Sequence, residues 1–131
     1  MAEKEATTIK PVGYDDNLSL DEATRSMEEL ETTFSELRDK YKGRLRWPKW
    51  LRGRISKEDR ELSVEILGAA LPLSHQPSVT EESVRFSGDS AYERTVGYRA
   101  VRLAYLLSDM AADFYGTKVQ RTNSSQRMWD K

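Results

Sequence analysis

The chain has 131 residues, with 21 Lys and Arg against 22 Asp and Glu, one His and no Cys. Without cysteine it has no disulfide framework, thiolate metal site or cysteine nucleophile, and it suits a reducing compartment. Its net charge of −1 conceals three blocks: −7 over residues 1–39, +8 over residues 40–57 and −2 over residues 58–131.

A hydrophobic content of 37% beside 33% charged residues is polar for one domain. Much of the length is therefore expected to be solvated tail or exposed helix face. No apolar run approaches the roughly 18 residues needed to cross a bilayer. Met1-Ala2-Glu3-Lys4-Glu5 lacks the apolar region of a signal peptide, and Ala2 stands where N-myristoylation needs glycine. The expectation is a soluble cytoplasmic protein, or a nuclear one if the basic cluster acts as an import signal.

Residues 1–17 contain Pro11, Gly13, Asp15, Asp16 and Asn17 without an apolar period, which predicts a flexible acidic arm. Ser19, with Glu22 three positions on, forms a capping box and predicts a helix over 19–42. Apolar residues follow at Leu20, Ala23, Met27, Leu30, Phe34, Leu37 and Tyr41, spaced alternately three and four apart as in a heptad seam. Gly43 is expected to close this helix with a left-handed cap. The seam has two readings. It can dock on the chain's own domain, or Leu20, Met27, Leu30, Phe34, Leu37 and Tyr41 can form an oligomer or partner interface. Bulky Met27, Phe34 and Tyr41 do not suit a tight parallel dimer, which prefers β-branched residues at that heptad position.

Ser56 predicts a second helix over 57–71, although Leu62, Val64 and Ile66 also alternate as in a strand. Pro72 and Pro77 bracket an irregular stretch that holds His75, and Val79 to Phe86 reads as a loop or short strand before Gly88. Ser90 and Glu93 form another capping box and predict a third helix over 90–115, with Gly97 as an interior blemish. Its apolar face holds Tyr92, Val96, Ala100, Leu103, Leu107, Met110 and Phe114, widened by Val101, Ala104, Tyr105, Ala111 and Tyr115. So broad a stripe predicts a helix covered on most sides. Residues 117–131 read as a second tail, with Met128 and Trp129 as a docking motif. The predicted fold is mostly α: a small three-helix domain over 18–116 between flexible N- and C-terminal tails. The alternative is α+β, with a short hairpin around 61–67 and 82–87.

Chemistry concentrates in one place. From Lys40 to Lys57 the chain carries eight basic side chains and no carboxylate, with two tryptophans among them. Cations held against an acidic background suit phosphate, and Trp with Arg suits base stacking or a headgroup layer. Lys42, Arg44, Arg46, Trp47, Lys49, Trp50, Arg52 and Arg54 are the expected anionic-ligand residues, with Leu51 and Ile55 joining the indoles against a membrane. The opposing reading lets Trp47 and Trp50 plug the core while the cations point to water. Arg94, Arg99 and Arg102 would extend the patch if they pack beside it.

No catalytic residue, metal, cofactor or small-molecule substrate is expected. His75 has no second histidine or cysteine to share a metal, and Asp109 with Asp113 is one like-charge pair four apart. The functional expectation is a non-catalytic, oligomerising interaction or structural protein that presents residues 44–55 to an anionic ligand, RNA or an anionic membrane surface. In type, though with no family motif, it is compatible with a small viral or phage structural or accessory protein. The alternative is a protein-only adaptor or inhibitor that uses the heptad face and the Met128-Trp129 tail.

Overall fold

Ser19 starts the first helix as its spacing implies. In the computed structural model, which describes residues 12–114, Glu22 N–H donates to Ser19 Oγ (3.2 Å) and Ser19 N–H to Glu22 Oε1 (2.9 Å). Two orphan donors are satisfied, and α1 runs Leu20–Tyr41. Its seam faces inward: Ala23, Met27, Leu30, Phe34, Leu37 and Tyr41 are all at most 5% exposed. These residues, with half-buried Leu20 against them, belong to the core of their own domain. Of the six residues expected at an oligomer or partner interface, Met27, Leu30, Phe34, Leu37 and Tyr41 are buried in the chain's own domain and Leu20 is half-buried.

Gly43 does not form the expected left-handed cap. Only Gly53 and Gly88 have positive φ among the described residues, and Gly43 lies within a 3₁₀ turn, Lys42–Arg46. After a second short turn, Lys49–Leu51, Ser56 caps α2, Lys57–Ser74, by accepting from Asp59 N–H (3.2 Å). Helical period decides this segment. Ile66, Ala69, Ala70 and Leu73 are buried while Val64 is exposed, so the strand alternation and the hairpin alternative fall away. The helix also passes Pro72, three residues beyond the expected end. Pro72 is buried, and one more turn brings fully buried Leu73 into the core.

The stretch read as loop or strand is a fourth helix, α3, Pro77–Arg85, opened by proline at its first position and anchored by buried Val79. The expected helix 90–115 is shorter and begins differently. Ser90–Arg94 is a 3₁₀ turn without a side-chain cap, and α4 spans Val96–Phe114. Thr95 does the capping, accepting from Tyr98 N–H (3.2 Å), while Glu82 of α3 accepts from Val96 N–H (3.0 Å). Gly97 is no blemish. A Cβ there would overlap Ser83 Oγ, so its missing side chain lets α3 cross closely.

Glu31 meets Arg99 and Tyr41 meets Phe114, so α1 and α4 run parallel. Tyr41 meets Asp59 near the start of α2, and Leu18 meets Gln76 and Ser78 just after its end. Helix α2 is therefore antiparallel to both neighbours. One core fills the space between them, centred on Met27, Ile66, Leu73, Val79 and Val96. The face that widens α4 is not covered: Val101, Tyr105 and Ala111 are exposed. In the arm, Gly13 N–H donates to Asp16 Oδ2 (2.9 Å) and Tyr14 packs on exposed His75 with ring centroids 5.4 Å apart. The rest of the arm, and the tail with Met128 and Trp129, lie outside the described residues.

Candidate anionic-ligand interface

Residues 42–56 turn from α1 into α2 at one end of the bundle, beside the C-terminus of α4. Two arginines of the loop itself hold it in shape. Arg44 lies over the Tyr41 ring, 4.9 Å from its centroid, and its Nη1 donates to the carbonyls of Arg52 (3.2 Å) and Arg54 (3.3 Å). Gly53 stands between those carbonyls at φ 75°, a left-handed conformation that a side chain disfavours, and so lets both oxygens meet one guanidinium. Arg52, whose side chain is only 14% exposed, donates from Nε to Trp47 O (3.0 Å) and from Nη2 to Leu45 O (3.0 Å). Its Nη1 reaches Asp113 O (3.1 Å) on α4, with the Asp113 carboxylate 3.9 Å away. Short 3₁₀ turns leave carbonyls without helical partners, and these two side chains satisfy several of them.

Beneath the loop sits a buried carboxylate, Asp59. Tyr41 Oη donates to it, Lys40 Nζ donates to both its oxygens (3.1 and 2.9 Å), and Ser56 N–H donates to Tyr41 Oη (3.2 Å). Burial alone would push the Asp59 carboxyl up. The hydrogen bonds from Tyr41 and Lys40 outweigh burial and hold it below its ordinary 3.8. The same hydrogen bond to Asp59 raises the Lys40 ammonium. The network ties the end of α1, the end of the loop and the start of α2 to one point.

The eight residues expected to bind an anion therefore divide. Arg44 and Arg52 face inward and serve the loop. Lys42 is exposed and pairs loosely with exposed Asp39 (3.6 Å). Arg46, Lys49 and Arg54 are exposed, with no ion pair or side-chain hydrogen bond among the described residues. Between them stand Trp47 (49% exposed) and Trp50 (81%), with Leu51 (50%) and Leu45 (36%) adjoining. Neither indole plugs the core. Ile55 does, at 3% exposure, so it cannot join the indoles at a membrane.

Arg94 and Arg99 do not extend the patch, whereas Arg38 and Arg102 continue from it along the α1–α4 side. Arg99 is held by Glu31 at 2.6 and 3.0 Å, and Arg94 lies before the far end of α4. Arg102 lines a groove of about 260 Å³ with Arg38, Phe34 and Leu106, part-way along the bundle. A second groove, of about 190 Å³, leads from the loop between α1 and α4, lined by Arg38, Lys42, Leu45, Leu106, Asp109 and Met110. Asp109 and Asp113 both border it, but the Asp113 carboxylate faces Arg52. Among the described residues no three His, Asp or Glu side chains are grouped to hold a metal ion.

Sequence reasoning missed Asp59 as a structural centre and Arg52 as the loop's tether. The Ser56 cap placed Asp59 in the first turn of α2, but nothing in its spacing showed that Tyr41 and Lys40 would converge on it. No family model, curated protein or solved structure matches the chain.

Proposed function

We propose that the protein is a non-catalytic binding protein whose 42–56 loop is its recognition surface for an anionic partner. Arg46, Lys49 and Arg54 supply charge, and Trp47 and Trp50 supply contact area. One observation carries this reading: two indoles stand in water on a loop braced from within, beside three cations that no carboxylate of the described chain neutralises. An exposed indole forgoes the burial free energy that a core position would provide, roughly 2 kcal/mol for a large apolar side chain. Bracing by Arg44 and Arg52 limits the ordering cost of binding, the usual benefit of preorganisation.

The rival adaptor reading draws less support, because six residues of the heptad face, Ala23, Met27, Leu30, Phe34, Leu37 and Tyr41, are interior. The acidic N-terminal block of another copy, −7 over residues 1–39 and including most of α1, remains one chemically suitable anion among others. The test is a triple variant, Arg46→Glu, Lys49→Glu and Arg54→Glu, compared with wild type for retention on heparin, single-stranded RNA and acidic vesicles. Loss of retention with an unchanged melting curve is expected. Equal retention of the variant and wild type refutes the proposal.

A further inference from the structure

We infer that the anionic partner is a lipid bilayer carrying acidic headgroups; this rests on the 42–56 loop being the binding surface. The exposed apolar groups of the loop are not aromatic alone. Leu45 and Leu51 stand in solvent with Trp47 and Trp50, so four apolar side chains share one end of the bundle. Base stacking uses the indoles but gains little from an exposed leucine, whereas the boundary between headgroups and acyl chains accepts both.

The distribution of charge points the same way. A nucleic-acid strand contacts several successive phosphates and needs cations laid along its path. Here Arg46, Lys49 and Arg54 crowd at the tip, whereas the ways off it mix signs, with Arg38 and Lys42 standing beside carboxylates along the α1–α4 groove. Asp39 lies on α1, Glu58 opens α2, and Asp109 and Asp113 line the α4 side. A bilayer met end-on meets Arg46, Lys49 and Arg54 together and needs no path of cations along the body of the bundle. Arg46, Lys49 and Arg54 are long enough to keep their charges among lipid phosphates while the indoles and leucines enter beneath them. Within the described residues no helix is long and apolar enough to cross the membrane, so the contact is peripheral.

The experiment is co-sedimentation of the full chain with phosphatidylcholine vesicles, with the same vesicles containing phosphatidylserine, and gel-shift of the full chain with short single-stranded RNA. Binding is expected to the acidic vesicles, accompanied by a blue shift of indole emission and quenching by brominated lipid. Arg46→Gln with Lys49→Gln should lower partitioning about 30-fold, roughly five-fold for each cation. Leu45→Ser with Leu51→Ser should weaken vesicle binding and leave any RNA retention unchanged, and melting curves confirm that both double variants fold. Retention on RNA without vesicle binding overturns the lipid inference and leaves the loop as an anion-binding surface. Binding to neither overturns both. Vesicle binding indifferent to the leucine substitutions overturns insertion and with it this inference.

Discussion

Asparagine at Asp59 keeps the shape of the side chain and removes its charge, which isolates what the buried carboxylate contributes. Lys40 is 60% exposed at its side chain, so its pair with Asp59 is screened and contributes no more than about 0.5 kcal/mol. Tyr41 is buried, and its hydroxyl exchanges a charged acceptor for a neutral one, a loss of about 1 kcal/mol. The sum, about 1.5 kcal/mol, corresponds to a fall in melting temperature of roughly 5–8 °C for a domain of this size. The pH dependence has a definite sign. The folded carboxyl lies below its ordinary 3.8, so its contribution is complete above that value and is lost as pH falls through the folded pKa. Urea unfolding of wild type and Asp59→Asn between about pH 7 and pH 3 should show a constant gap at first, closing below the ordinary carboxylate value. A gap that stays constant or widens towards acid would show that the carboxylate is not held in its charged form.

Removing the tether, Arg52→Met, should quicken amide exchange across residues 45–53 by about 10- to 100-fold, since each bond to a charged donor contributes roughly 1.5–3 kcal/mol. Global melting should move less, because the core beneath is untouched. Gly97→Ala should destabilise by about 1–3 kcal/mol through overpacking against Ser83, and adding Ser83→Ala should recover part of that loss in chemical denaturation. Phe34→Ala should cost about 3–5 kcal/mol as a core cavity, whereas Trp50→Ala should stay within about 0.5 kcal/mol of wild type. Sedimentation of the folded Phe34→Ala variant should give the same oligomeric state as wild type, because the seam lies inside the domain.

Helices with both a cap and a period were legible. Ser19 with the heptad seam placed α1, and the Ser56 cap favoured α2 where Leu62, Val64 and Ile66 also fit a strand, because local hydrogen bonds and side-chain burial agree there. Where tertiary contacts overrode local chemistry, the reading failed. Ser90 and Glu93 make a valid capping box in sequence, yet α4 starts later because Glu82, from another helix, accepts the Val96 N–H. Pro77 reads as a break in the sequence and instead opens α3, whose single buried anchor, Val79, is too little to register as a period. The α4 stripe overstated burial, since a helix packed by neighbours on one side can still carry Val101 and Tyr105 in solvent.

The site was legible as composition but not as direction. A count of cations between Lys40 and Lys57 treats all eight alike, while the folded chain divides them by which oxygen lies within reach. Asp113, which Arg52 reaches, is distant in sequence, and the carbonyls that Arg44 meets converge only because Gly53 turns the chain back. This division has an experimental consequence. Charge reversal at Arg44 or Arg52, the natural first choice in a window of basic residues, would place a carboxylate against backbone carbonyls and release the loop. Binding would then be lost whether or not those arginines ever touch the partner. Arg46, Lys49 and Arg54 have no such internal duty among the described residues, so an effect of their reversal on binding, at constant stability, reports on the partner alone.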